Sequence, residues 1–326
     1  MRCVILNRFG APVEVLVAGE QSTPQPGPGQ VRIRMIQSPI HNHDLAIVRG
    51  VYGTRPPLPA IPGTEAVGVI DEAGPDTANV VMGQRVSVAG VQGAWAEFFL
   101  AKAAAAVPVP STLSDDLACQ LLAMPLSACM LLEDLDLKAG DWMIQNAASG
   151  AVGRLVVALA KERGVNVLGL VRRQQTVAEL EAEGVRNVLA TEDATWATRV
   201  AALTGGAPVV RALDSVGGKA ANELMNVMAP GGVLMSFGAL SGQPLVIDPG
   251  NIIFKQTTIK GFWGTKRAER TSPADTRRMI VDLIRLATQE GLPLRVAGKF
   301  SLADVAEAAA ASETPGRAGK IVLRAA

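Results

Sequence analysis

Aromatic side chains are scarce in this chain of 326 residues, at 4%, and there is one tyrosine, Tyr52. Histidine is scarcer still, with only His41 and His43. A site needing three or more imidazoles is therefore excluded. Cysteine occurs three times, as Cys3, Cys119 and Cys129, with no Cys-x-x-Cys pair. This pattern fits buried thiols in a reducing compartment better than disulfides or a structural metal. No window of about 18 apolar residues escapes interruption by Gly, Pro or charge, so a membrane-spanning helix is not expected. An excess of charge of either sign is also missing. Lys and Arg number 31 against 30 Asp and Glu, a net +1, which offers no general attraction to nucleic acid or an anionic membrane. The opening MRCVILNRFG lacks the basic lead, apolar stretch and small-residue cleavage site of a secretory signal, and the expected compartment is the cytoplasm.

What is present is apolar and evenly punctuated. Hydrophobic residues make up 48%, and the 33 glycines and 20 prolines are spread along the chain. The length allows two domains, each with its own core. Residues 1 to about 110 read as short strands broken by Gly and Pro: Met1 to Leu6, Gln30 to Ile36, Glu65 to Glu72, Arg85 to Ala89 and Ala94 to Leu100. From about Ser114 the pattern changes to a helical stretch, Ala118 to Leu131, and then a buried-type strand, Trp142 to Gln145. Helices and strands alternate from there to the strand Thr258 to Phe262, which predicts a mainly parallel sheet covered on both faces. An amphipathic helix from Ser272 to Glu290, a helix from Ser301 to Ser312 and a strand from Lys320 to Leu323 complete the chain. This tail is expected to return to the first domain.

The most informative segment is Trp142-Met143-Ile144-Gln145-Asn146-Ala147-Ala148-Ser149-Gly150-Ala151-Val152-Gly153-Arg154. A strand runs through small residues into a helix, which presents backbone N–H groups and the positive helix end to a pyrophosphate. Gly150 would let the backbone approach the phosphates, and Gly153 would let the helix pack on the sheet. Ala147 stands where the usual first glycine would be. About 20 residues on, where an NAD enzyme offers an acid to the adenine ribose, the next strand ends in Val171-Arg172-Arg173. Two arginines suit a 2′-phosphate, which favours NADPH over NADH. A solvated strand end is the other reading of that pair.

Gly63-Thr64-Glu65-Ala66 and His41-Asn42-His43-Asp44 carry a wider comparison. Over nearly its whole length the chain resembles the medium-chain alcohol dehydrogenases, whose zinc enzymes have Gly-His-Glu-Gly and Cys-His-Thr-Asp at these places. Thr64 removes a ligand and no four-cysteine lobe follows, so no metal is expected. Without a Lewis acid, conjugate reduction remains open: hydride added to a β-carbon gives an enolate, which needs donors at its oxygen and a proton at the α-carbon. Tyr52 is the best proton donor in the first domain, in the Gly/Pro-framed loop Arg49-Gly50-Val51-Tyr52-Gly53-Thr54-Arg55-Pro56-Pro57. A residue that merely covers the loop is the alternative.

Four stretches narrow the resemblance: Asp44 to Pro57, Gln145 to Gly153, Val171-Arg172-Arg173 and Lys260-Gly261-Phe262-Trp263. In them the chain is similar to the zinc-independent 2-enoyl thioester reductases of mitochondrial type. That resemblance implies an α/β fold, with a GroES-like β domain over 1–115 completed by 267–326. A Rossmann doubly wound domain would occupy 116–266. It implies Tyr52 as catalytic residue, and Phe262 and Trp263 beside the acyl chain. It also implies NADPH contacts at Gly150, Ala151, Val152, Gly153, Arg172, Arg173, Gln174, Phe237, Gly238, Ala239, Leu240, Phe262, Trp263, Gly264 and Lys320. The substrate would be an enoyl thioester of coenzyme A or of an acyl carrier protein. A quinone or enone acceptor, or a non-catalytic NADPH-binding sensor, are the alternatives. A homodimer is implied, with its contact expected at the strand-like stretches Leu245 to Ile247 and Asn251 to Phe254. Met124-Pro125 departs from the family's Asn-Pro, and the basic residues Lys266, Arg267, Arg270, Arg277 and Arg278 could hold phosphates or form a solvated face.

Overall fold

The computed structural model describes residues 1–78, 80–289 and 291–325. Glu290, the expected end of the helix from Ser272, lies outside them. In chain order the first strands are β1 (Arg2–Leu6), β2 (Leu16–Glu20), β3 (Gln30–Pro39), β4 (Glu65–Ala73), β5 (Arg85–Ala89), β6 (Phe98–Lys102) and β7 (Val107–Pro108). Then come β8 (Trp142–Gln145), β9 (Asn166–Val171), β10 (Val188–Ala190), β11 (Val209–Asp214), β12 (Val233–Ser236) and β13 (Thr258–Gly261). The chain closes with β14 (Val296–Ser301) and β15 (Lys320–Arg324).

The chain divides into two compact units, one of residues 1–125 with 280–326 and the other of residues 126–279. Both boundaries fall later than the sequence reading put them, and hydrogen bonding explains why. Residues 115–123 are tied to the first unit: Arg85 holds Asp115, Ser87 donates to the Ala118 carbonyl, and Leu122 and Ala123 donate to Glu65. The helix Gly264–Ala268 stays with the second unit, because Arg267 reaches Glu133 and Asp134. The expected single helix from Ala118 to Leu131 is accordingly two, Asp115–Ala118 and Ala123–Asp134.

The first unit is built on a sheet of order β14-β15-β3-β4-β5-β7, with β6 also on β3 and a separate β1-β2 hairpin pair. Alternation along β3 sends Val31, Ile33 and Met35 into one core with Ala66, Ile70, Val86, Val88 and Phe99. Leu302, Val305, Ala308, Ile321 and Leu323 of the tail enter the same core. The expected strand from Ala94 begins only at Phe98. Trp95 is instead fully buried and exchanges single bonds with Val4 and Pro62.

The second unit holds a parallel six-stranded sheet of order β10-β9-β8-β11-β12-β13. Counting from β8 this is 3-2-1-4-5-6, the doubly wound dinucleotide-binding order, with its switch point between β8 and β11. The helix Ala151–Lys161 buries Gly153, Leu155, Val156, Leu159 and Ala160, an i, i+3, i+4 stripe. Two expected strand-like stretches fail here. Asn251 and its neighbours form a short helix, Pro249–Ile253, because the Asp248 side chain caps Gly250 N and proline suits the first turn. Leu245 to Ile247 carries no regular structure. Among the described residues no helix is long and apolar enough to cross a membrane.

Candidate active site

In the first unit, β3 runs to Pro39 and is followed by the helix Asn42–Val48, which starts at His41. Asp44 in its first turn accepts from His41 N at 2.9 Å, half of the reciprocal cap that fixes where such a helix begins. This places His41, His43 and Asp44 beside the start of β4. His41 Nε2 lies 2.7 Å from Glu65 Oε2, and both side chains are fully buried. Glu65 Oε1 accepts from Leu122 N at 2.7 Å and Ala123 N at 2.8 Å. Thr64 Oγ1 donates to Asp44 Oδ1 and contacts His43 Nε2, each at 2.7 Å. The two imidazoles stack with centroids 5.0 Å apart, and the half-buried Tyr52 ring lies 5.9 Å from that of His43.

Burial dominates the electrostatics. It raises the Glu65 carboxyl to about 7, against the lowering pull of the two backbone N–H groups. It lowers the Lys320 ammonium to about 8, with Arg317 adding to the effect. His41 is held well below its ordinary value by burial, then by Lys320 and His43. Lys320, which the resemblance assigned to the cofactor, is thus buried in this unit as the near counter-charge of Asp44 and Glu65.

In the second unit the remaining candidates line the carboxyl edge of the parallel sheet. After β8, Ala147 adopts φ +49°, and Gly150 N donates back to the Ala147 carbonyl before the helix begins at Ala151. A Cβ on Gly153 would come within 2.8 Å of the Ala147 oxygen and Ala148 Cα, so only glycine lets the helix sit this close to the turn. Beyond β9, Arg172 and Arg173 line an open depression with Thr191 and Glu192, and Gln174 N donates to Glu192 Oε1 at 2.5 Å. Beyond β12, Phe237 N and Leu240 N bond to the carbonyls of Asp214 and Ser215, while Gly238 packs on Ser215. Ala239 lies between them. Beyond β13, Phe262 is buried, and Trp263 is half-buried at the start of the helix Gly264–Ala268 with Lys266 Nζ 5.8 Å from its ring. Strand order brings these turns to one edge of one sheet.

A buried pair at the switch point is one that the sequence pattern does not announce. Asn146 Nδ2 donates to Asp214 Oδ1 at 2.6 Å, its Oδ1 accepts from Ser215 N, and Asp214 accepts from Val216 N and Gly217 N. The pair ties the turn after β8 to the loop after β11. An acid closing the otherwise apolar end of strand Val209–Asp214 was the available signal. The basic cluster is largely spent on ion pairs: Lys266 with Glu269, Arg267 with Glu133 and Asp134, and Arg278 with Glu133 and Asp275.

Residues 27–111 match the family described as alcohol dehydrogenase GroES-like domain, and residues 151–282 the family described as zinc-binding dehydrogenase. The mitochondrial enoyl-[acyl-carrier-protein] reductase of Xenopus tropicalis is 30% identical over 332 residues, covering 99% of this chain and 95% of that protein. Its human counterpart is 28% identical, covering 99% and 88%. Among solved structures, a mycobacterial protein complexed with NADPH superposes with a TM-score of 0.88 at 28% identity, covering 99% of this chain and 100% of that one. A quinone oxidoreductase of Pseudomonas syringae pv. tomato gives 0.87 at 25%, covering 99% of each.

The zinc of the second family's name does not fit these residues. Thr64 fills a ligand position, His43 Nε2 is engaged by Thr64, and His41 Nε2 and Glu65 are engaged by each other. Among the described residues no three His, Cys, Asp or Glu side chains are arranged to hold a metal ion. With a GroES-type β unit, a doubly wound sheet of order 3-2-1-4-5-6 and a full-length relative at 30% identity, the chain belongs to the medium-chain dehydrogenase/reductase superfamily.

Proposed function

We propose that this enzyme uses NADPH to reduce the C2=C3 double bond of a 2-enoyl thioester, of coenzyme A or of an acyl carrier protein, without zinc. The observation that carries the reading is the engagement of the would-be ligand side chains with one another, Thr64 standing between His43 and Asp44. Such a site has no built-in Lewis acid for a ketone or alcohol, whereas conjugate reduction needs only a hydride, an anchored carbonyl and a proton. The full-length relationship to proteins named enoyl-[acyl-carrier-protein] reductases supports the same choice.

NADPH supplies the hydride when bound. The backbone of Gly150, Ala151, Val152 and Gly153 offers the N–H groups of a helix start to its pyrophosphate. Arg172 and Arg173, with Gln174, hold the 2′-phosphate in their depression, a guanidinium pair being the side chains suited to a dianion. Phe237 to Leu240 and Phe262 to Gly264 would also contact NADPH, and Phe262 and Trp263 would shield the acyl chain from water. Tyr52 protonates the α-carbon as the enolate collapses. Lys320 stays with the proton-handling group as its buried positive charge. We place a homodimer contact on Leu245, Val246, Ile252, Ile253 and Phe254, a reading supported by the exposure of these apolar side chains, 85% for Phe254.

The test follows NADPH oxidation at 340 nm with crotonyl-coenzyme A, a longer enoyl thioester and a simple quinone side by side, repeated with NADH. Preferential turnover of the thioesters with NADPH is expected. Turnover of the quinone alone would move the enzyme to the quinone reductases and leave Phe262 and Trp263 as packing.

A further inference from the structure

The hydroxyl of Thr64 has one hydrogen, and it is donated to Asp44 Oδ1 at 2.7 Å. At its 2.7 Å contact with His43 Nε2 the hydroxyl must therefore accept, which puts the imidazole proton on Nε2. Asp44 cannot turn away from this arrangement, since its other oxygen is held by His41 N at 2.9 Å. The tautomer of His43 is thus set by two residues behind it, and Nδ1 is left as the nitrogen open to a further partner. Of the two stacked rings, His41 is fully buried while the His43 side chain is 22% exposed. His43 is also the one beside Tyr52, ring to ring at 5.9 Å and tilted by 35°.

A tyrosine that gives a proton to carbon in every turnover must regain one. We propose that His43 is the residue that positions Tyr52 and restores its proton, with Thr64 and Asp44 fixing its tautomer; this rests on the reading of Tyr52 as the proton donor. The Tyr52 O–H bond breaks as the α C–H bond forms. The phenolate takes the Nδ1 proton of the His43 imidazolium, and the neutral ring, protonated on Nε2, regains a proton at Nδ1 from water. One solvent proton is consumed per hydride transferred. The charged and titratable groups around His43 suit the cationic intermediate. Asp44 Oδ1 lies 3.6 Å from Nε2, the Glu65 carboxyl acts on the same ring, and the neutral His41 stacks on it with Lys320 acting on His41 from beyond, while Tyr52 stands on the exposed side. This is the logic by which a buried acid orients and supports an imidazolium, here relayed through a hydroxyl.

The experiment compares wild type, Tyr52→Phe, His43→Gln and the double variant with crotonyl-coenzyme A, together with NADPH affinity from nicotinamide fluorescence. Gln keeps a donor for Thr64 but cannot relay a proton. His43→Gln is expected to lower kcat on the order of ten- to a hundred-fold, with NADPH affinity unchanged. In the Tyr52→Phe background the same change should cost nothing further, because the two residues act in series. Equal losses in both backgrounds, or wild-type kcat in His43→Gln, would overturn the proposal while leaving Tyr52 in place. Wild-type kcat in Tyr52→Phe would instead remove Tyr52 itself. Should His43→Gln fail to fold, Thr64→Val decides by the same comparison. It frees the tautomer and should lower kcat only where Tyr52 is present, and Thr64→Ser should restore it.

Discussion

In the first unit the candidate chemistry is carried by side chains packed against one another: His41 on Glu65, Thr64 between His43 and Asp44, and Lys320 buried nearby. In the second it is carried mostly by backbone, a row of turns at strand ends kept close by small residues such as Gly153 and Gly238. A cofactor of fixed shape is met by main-chain donors that barely depend on side-chain identity. Proton handling needs particular side chains in particular protonation states. The comparison explains why the first region depends on the chemistry of single atoms and the second on the absence of atoms.

The largest effect should come from breaking the first region. Glu65→Ala leaves His41 and two backbone N–H groups buried without their acceptor. Each buried donor left without an acceptor costs about 1–3 kcal/mol, so urea unfolding should show a loss of several kcal/mol in all. Glu65→Gln sharpens the point through pH. Burial holds Glu65 near 7 against an ordinary 4.5, so the folded chain binds a proton there more readily than the unfolded one. Its contribution to stability is then fully present below about 4.5 and declines as pH rises to about 7. A glutamine does not titrate, so this variant should gain on wild type by about 2–3 kcal/mol across that window. The His41 contribution has the opposite sign, because its folded value is depressed, and it is present in both proteins.

In the second region the added atom is what harms. Gly153→Ala drives a Cβ against the Ala147 and Ala148 backbone. It should cost about 1–3 kcal/mol, read as a fall in Tm together with weaker NADPH binding in fluorescence titration. Replacing Arg172 or Arg173 with Ala should lower the preference for NADPH over NADH about tenfold, or 1.4 kcal/mol, with little change for NADH. Smallest is Ala147→Gly. It relieves a positive φ of 49° but frees the unfolded chain, so the unfolding free energy should move by no more than about 1 kcal/mol.

The two regions also differed in how far they could be read in the sequence. The parallel-sheet unit was legible because its signals are local. A buried strand, a small-residue turn and a helix follow one another within Trp142 to Lys161, and the strand Trp142–Gln145 has the bounds that the sequence predicts. Ala147 in place of a glycine did not obscure the turn, because the chain adopts the same positive φ there at modest cost. The polar group of the first unit was legible only in part. The departures at Thr64 and His41 could be seen, but not that Glu65 would cap residues 122 and 123, nor that Lys320 would be buried beside it. Those contacts join positions 57 and more residues apart, and no local pattern encodes them. The later position of the first boundary has the same origin, since Leu122 and Ala123 are held by Glu65 and not by their own helical periodicity.

The central claim is that hydride from NADPH goes to the β-carbon of an enoyl thioester. The most direct test is to incubate the enzyme with crotonyl-coenzyme A and NADPH carrying deuterium at both C4 positions, and to locate the label in the product. The account predicts butyryl-coenzyme A with one deuterium at C3 and a solvent hydrogen at C2. Recovery of crotonyl-coenzyme A unchanged, while a quinone supplied in its place oxidises the labelled NADPH, would contradict it.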